Sequence, residues 1–399
     1  MNTDKELEKG KGKREKREIQ RRDAARPLIR GALFHFPFSL FLMLLGTAMV
    51  SAQAKPPAAA PPRERVDLIV SGGTVVTMDA GRRVMEDGAM AVRGDAIVAM
   101  GSRAEIAARY TAARRINAAG RIVMPGLVNG HGHAPMVLMR GLADDLTLQD
   151  WLTRFIFPAE ARNVKADYVE WGTRLALAEM IRSGTTTYAD MYYFEDVIAR
   201  VTKEAGMRGV LGETILDFPA PDNKTLPQAL AYTEDYLKRW KGDPLIHAAV
   251  APHSAYLLSE QGLRATAALA RKYGAPLLIH LAETKKEIGD VREKQGESPV
   301  AYLDRIGFLG PDVLAAHCVW VDAADIALLK KNDVGCVHNP SSNMKLSSGA
   351  APVMEMIEAG VRLGLGTDGL WYSFVIASAV EGLLKLYWFQ RGKWKTRRV

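Results

Sequence analysis

The chain has 399 residues, of which 48% are hydrophobic and 25% charged, an ordinary globular composition with length enough for one large domain and a small one. Its net charge of +8 sits at the ends: residues 1–30 carry +5 and residues 391–399 another +5, which leaves the 31–390 body at −2. Neutralising a phosphate backbone needs a clustered positive surface that this body lacks, so nucleic acid is set aside as a partner. With only Cys318 and Cys336, the chain carries no disulfide framework.

In chain order, residues 1–54 read as an export signal or membrane-anchor leader. A basic stretch ends at Arg30, an apolar run follows from Gly31, and Ala52 and Ala54 give a small-x-small cleavage pattern. The expected location is therefore periplasmic or extracellular, with contact to a membrane only if the leader stays uncleaved. Residues 55–65 form a Pro/Ala-rich linker of extended character. Residues 66–123 alternate short apolar runs with Gly-rich turns, the pattern of a small β domain.

From residue 124 to 369 the texture changes to short apolar strands alternating with longer amphipathic stretches, which signals repeated βα units. Eight strands are expected, centred on Leu127-Val128, Thr186 to Tyr188, Gly209 to Leu211, Ala248 to Val250, Leu277 to Ile279, Leu314 to Ala316, Gly335 to Val337 and Leu363 to Leu365. Eight strands in about 245 residues is the size of a (β/α)8 TIM-type barrel, whose functional groups stand at the C-terminal strand ends. Those ends carry His131 and His133, Glu213, His253, His280, His317, His338 with Asn339, and Asp368. Six of the chain's eight histidines fall there. His131 and His133, one residue apart in extended chain, present both imidazoles to one side, where they can grip a single metal ion. If both cysteines lie on barrel strands, Cys318 follows an inward-facing His317 and points outward, whereas Cys336 shares the parity of His338; a bridge between them is not expected.

These blocks resemble the amidohydrolase superfamily and, within it, the 5-methylthioadenosine/S-adenosylhomocysteine deaminases. The resemblance spans roughly Val66 to Gly369. It rests on His131-Gly-His-Ala-Pro-Met, Gly184-Thr-Thr-Thr-Tyr-Ala-Asp-Met-Tyr, Ala251-Pro-His-Ser-Ala-Tyr, His280-Leu-Ala-Glu-Thr, Ala316-His-Cys-Val-Trp, His338-Asn-Pro-Ser-Ser-Asn-Met-Lys-Leu and Leu365-Gly-Thr-Asp-Gly. It implies a barrel with one metal ion and a small β-sandwich built from segments on both sides of it. The implied ligands are His131, His133, His280 and Asp368, a set that suits zinc first, with iron or manganese as alternatives. Binuclear relatives carry a carboxylated lysine at the end of strand four; Ile246 to His253 offers none, which points to a mononuclear centre.

The implied activity is hydrolytic deamination of the adenine ring of methylthioadenosine, adenosine or S-adenosylhomocysteine. Glu283 would donate to the ring nitrogen and shuttle protons, while His317 and Asp368 flank the attacking water. Glu160 would accept from the ribose hydroxyls, His253 would contact substrate, and Trp151 could pack near the purine. Glu213 stands where some relatives have an arginine for the homocysteine carboxylate, and Ala255 replaces a common proline, which weakens S-adenosylhomocysteine as substrate. The same chemistry leaves open a triazine or another cyclic C–N or C–Cl substrate. After Gly369 the resemblance stops, and residues 370–399 read as a divergent basic tail. A frameshifted or truncated gene is the expectation, with a sandwich incomplete at its C-terminus and an inactive binding protein as a third reading. The self-association state is left open.

Overall fold

The computed structural model describes residues 62–143 and 146–367. The leader, most of the linker, Asp368 and the basic tail lie outside the described residues. The described residues from Arg63 onward belong to one unit.

Five strands come first: β1 (Glu64–Val76), β2 (Val84–Arg93), β3 (Ala96–Ser102), β4 (Tyr110–Asn117) and β5 (Ile122–Val123). They form one mixed sheet in the order β3-β2-β1-β4, with β5 also pairing to β1. The helix Arg103–Arg109 starts at Ser102, whose side chain accepts from the Glu105 N–H while Glu105 returns the bond, a capping box. That helix lays Ile106 against Val66, Ile69, Ala89 and Ala91. Among the described residues this is a single sheet with a helix packed on it, where the resemblance implied two facing sheets.

The barrel follows as β6 (Leu127–Asn129), β7 (Thr185–Tyr192), β8 (Arg208–Ile215), β9 (Ile246–Pro252), β10 (Leu277–Leu281), β11 (Val313–His317), β12 (Gly335–His338) and β13 (Arg362–Leu365). All eight fall on the expected centres, and each pairs in parallel with its neighbours in chain order. The ring is drawn shut between its first and last members, where the Gly130 N–H donates to the Leu365 carbonyl at 2.8 Å.

Alternation along β10 shows how the sequence sorts its side chains. Leu277, Ile279 and Leu281 join the large cluster shared with the surrounding helices. Leu278 instead packs with Met191, Ala249 and Ala251 from neighbouring strands, an apolar layer inside the barrel. His280 shares the parity of Leu278. The helices are bounded by local chemistry: Glu260–Tyr273 begins with the Ser259 side chain accepting from Gly262 N–H and ends at Gly274 in the left-handed region, φ +64°. Among the described residues no helix is long and apolar enough to cross a membrane.

Cys318 and Cys336 are free thiols, both buried. Cys318 faces outward as expected, but so does Cys336: on β12 it is Val337 that approaches Gly130 and Gly366, so Cys336 falls on the outer side and the expected separation fails there. On β11, Val313 and Ala315 face the outer cluster, and positive φ values of 74° at His317 and 46° at Cys318 break the alternation at the strand end. Both thiols sit in the same outer cluster, and a hydrogen bond with Cys336, followed by burial, pushes the Cys318 thiol well above its usual range.

Candidate active site

The imidazoles gather at the C-terminal mouth of the barrel. One nitrogen from each of His131, His280 and His317 lies within 4.8 Å of the others, and all three residues are buried. His133 joins them through Nε2, 3.3 Å from Nε2 of His280. The His253 ring lies 4.5 Å from that of His280 between centroids, tilted by 35°. Of the four implied ligands, three are therefore brought together; Asp368 lies outside the described residues. His317, read from the sequence as a proton acceptor, is geometrically a member of the same cluster.

The second nitrogens are tied down. His133 Nδ1 is 2.6 Å from the Met191 carbonyl, His280 Nδ1 is 2.9 Å from the His253 carbonyl, and His317 Nδ1 is 2.9 Å from Asn343 Oδ1. A carbonyl only accepts, so Nδ1 of His133 and His280 must carry the proton and Nε2 must present a lone pair. Two such lone pairs then face each other at 3.3 Å. A proton between them is disfavoured, because burial and then the neighbouring imidazoles hold His280 well below its ordinary value of 6.5. A divalent cation resolves the repulsion, and the donor set fits one.

Beside this cluster runs a pocket lined by His133, His253, His280 and His317, by Glu160 and Glu283, and by an apolar wall that includes Met136, Met139, Trp151, Leu152, Phe157 and Leu346. The wall is carried by the 3₁₀ helix Ala134–Met139, the π-helical turn Trp151–Ile156 and the helix Phe157–Asn163. Trp151 is anchored through its indole N–H to the Leu142 carbonyl at 3.4 Å. Glu160 is buried and accepts from the Tyr192 hydroxyl at 2.8 Å. Burial pushes its carboxyl up to about 7, while hydrogen bonds from Tyr192 and Tyr193 and the nearby His133 pull the other way. Glu283 is buried too, with Oε2 3.7 Å from His317 Nε2 and Oε1 accepting from the Ser348 hydroxyl at 3.3 Å.

Glu213, a strand-end candidate, is elsewhere. It accepts from the Glu195 N–H at 3.0 Å and from the Asn223 amide at 3.3 Å, fully buried and away from the pocket lining. Sequence reasoning missed Asn343, although it lies inside one of the quoted blocks. It also missed the Met191 and His253 carbonyls, which no residue type announces.

A parallel barrel with convergent, pre-oriented imidazoles and a buried carboxylate at its mouth defines a metal-dependent hydrolase of the (β/α)8 class. Comparison with known proteins narrows the class. Residues 122–397 match the Amidohydrolase family, a match that runs past Gly369, where the motifs read from the sequence end. The 5-methylthioadenosine/S-adenosylhomocysteine deaminase 1 of Syntrophus aciditrophicus is 47% identical over 306 residues, covering 77% of this chain and 69% of that one. The corresponding deaminase of Syntrophobacter fumaroxidans is 48% identical over 305 residues, 76% of this chain and 69% of its own length. Among solved structures, an adenosine deaminase from Xanthomonas campestris with bound zinc superposes with a TM-score of 0.75 at 38% identity, covering 77% of this chain and 70% of that one. The chain belongs to the amidohydrolase family, as a hydrolase of carbon–nitrogen bonds other than peptide bonds.

Proposed function

We propose that this protein deaminates the adenine ring of methylthioadenosine or adenosine, giving the inosine derivative and ammonia, with zinc as its metal. The observation that carries this reading is one pocket lined by His133, His253, His280 and His317 together with Glu283 and Glu160, against an apolar and aromatic wall. A purine fills such a wall, a ribose diol offers two donors to a buried carboxylate, and the carbon bearing the amine can be brought to the imidazoles. A triazine ring carries no diol for Glu160 to accept from.

His131, His133 and His280 would hold the metal, with Asp368 as the fourth ligand. When bound, the ion supplies a nucleophile at neutral pH by lowering the pKa of water. His317 keeps its Nδ1 proton on Asn343 and so turns a basic Nε2 toward the site, ready to take a proton from the attacking water. Glu283, beside it, protonates the ring nitrogen and then carries a proton to the departing ammonia. The apolar wall suits a methylthio group better than a zwitterionic homocysteine tail. Lys345 supplies the one ammonium or guanidinium group among the pocket-lining residues, and it lies over the Trp151 ring at 5.9 Å.

The test is direct. Purified protein with added zinc is incubated with methylthioadenosine, adenosine and S-adenosylhomocysteine while absorbance near the adenine maximum is followed. The absorbance falls with the first two, and Glu283→Gln lowers kcat by about 10²- to 10⁴-fold with zinc content unchanged. No conversion of any of the three overturns the reading.

A further inference from the structure

We propose that Glu287 is a positioning residue that aims Glu283 into the pocket by holding the reversed turn at Ala282. The inference rests on Glu283 being the proton carrier of the reading above.

Strict alternation from the inward-facing His280 would send Leu281 out, Ala282 in and Glu283 out. Yet Glu283 lines the pocket. The alternation fails because Ala282 adopts φ +53°, a left-handed conformation that a residue with a Cβ takes at a cost of about 1–3 kcal/mol. Something must over-determine that turn. On one side, the Ala282 carbonyl accepts the N–H groups of Val319 at 3.0 Å and Trp320 at 2.9 Å. On the other, the two oxygens of Glu287 take one bond each: Oε1 from the Ala282 N–H at 2.9 Å and Oε2 from the Glu283 N–H at 2.8 Å.

The local sequence makes this placement unusual. Thr284 caps the helix Lys285–Gln295, and its side chain accepts from the Glu287 N–H at 3.2 Å. A Glu three residues after such a cap ordinarily returns its carboxylate to the N–H of the cap itself. Here the carboxylate reaches past Thr284 to the two residues before it. It does so with Glu287 almost wholly buried and, among the described residues, with no cation paired to it, an expensive place for a carboxylate in exchange for a turn. Burial pushes the carboxyl up to about 7, with the two N–H bonds pulling against it. A bidentate clamp on the backbone of Glu283 itself repays that cost in the placement of one carboxylate.

A double-mutant cycle reads the role. Glu287→Ala lowers kcat by about 10- to 100-fold, the scale of a sub-ångström to ångström misplacement, while KM stays within about 3-fold and zinc content is unchanged. Glu287→Gln keeps one acceptor and recovers part of the loss. In a Glu283→Gln background, adding Glu287→Ala costs less than about 2-fold, because the group it aims is already gone. Should Glu287→Ala fail to fold, the cycle is run with Glu287→Gln. An equal loss in both backgrounds, or a loss that tracks departing zinc, overturns the positioning role. A Glu283→Gln variant with undiminished kcat overturns the function reading instead, so the two failures are told apart.

Discussion

Glu160 combines two demands that conflict. To accept from two hydroxyls it must be ionised, yet burial holds its carboxyl at about 7 in the free protein, with Tyr192, Tyr193 and His133 as the polar groups facing it. Binding of a riboside therefore weakens as pH drops: KM rises between about pH 8 and 6, and Glu160→Gln, which raises KM at the upper end by about 10- to 100-fold, flattens the profile. Steady-state kinetics across that window check both. The same shift is a statement about stability. The folded value lies above the ordinary 4.5, so the contribution is fully present below 4.5 and is lost as pH rises through about 7. Glu160→Gln should remove that share of the decline in denaturant unfolding. At this scale the sequence was informative wherever a residue type implies a chemistry. His131, His133, His280, His317, Glu160, Glu283 and His253 all reach the site, and Trp151 lines it. Glu287 was passed over because its spacing from Thr284 looks like an ordinary helix cap.

Two elements meet so closely at Gly172 that no side chain fits. A Cβ there would lie 2.6 Å from the Pro135 carbonyl oxygen and 2.8 Å from its Cα, backbone atoms that cannot swing aside. The helix Ala166–Arg182 thus accepts a glycine in its interior, which costs about 1 kcal/mol relative to alanine, and in return seats the 3₁₀ helix that begins just after His133. Gly172→Ala, usually a stabilising change in a helix, is expected to destabilise here by about 1–3 kcal/mol and to weaken zinc binding. Chemical denaturation and a competitive zinc titration measure the two effects. Element positions in the barrel were legible because the strands are short apolar runs and seven of the eight end in a polar ligand type. What escaped was handedness at the strand ends. Ala282, His317 and Cys318 are left-handed without being glycine, so nothing in their identity warns that alternation stops; the predicted separation of Cys318 from Cys336 failed at Cys336, which faces the outer cluster.

Across the whole molecule, the ring depends on a seam between residues 238 positions apart. The Asn129 amide donates to the Thr367 hydroxyl at 2.9 Å, and its Oδ1 accepts the Thr367 N–H at 2.9 Å and the His131 N–H at 3.4 Å. The Thr367 N–H also lies 3.1 Å from the His131 carbonyl. Asn129→Ala removes the donor to the Thr367 hydroxyl and the acceptor of the His131 N–H, leaving the Thr367 N–H only its bond to the His131 carbonyl, and should cost about 1–3 kcal/mol in unfolding free energy while loosening the first ligand strand. Because a metal that binds only the folded state adds to stability, the Asn129→Ala variant should also gain less from added zinc than the parent protein, as thermal denaturation with and without chelator would show. The barrel as a whole was readable from eight repeated units, but the seam was not, since no periodicity links Asn129 to Thr367. The acceptors that orient the imidazoles carry a different consequence, one for descent. For His133 and His280 they are main-chain carbonyls, which no point substitution can delete, whereas His317 leans on the side chain of Asn343. Inherited change can therefore retune the proton-accepting histidine through one position while leaving the orientation of those two ring planes out of reach of drift.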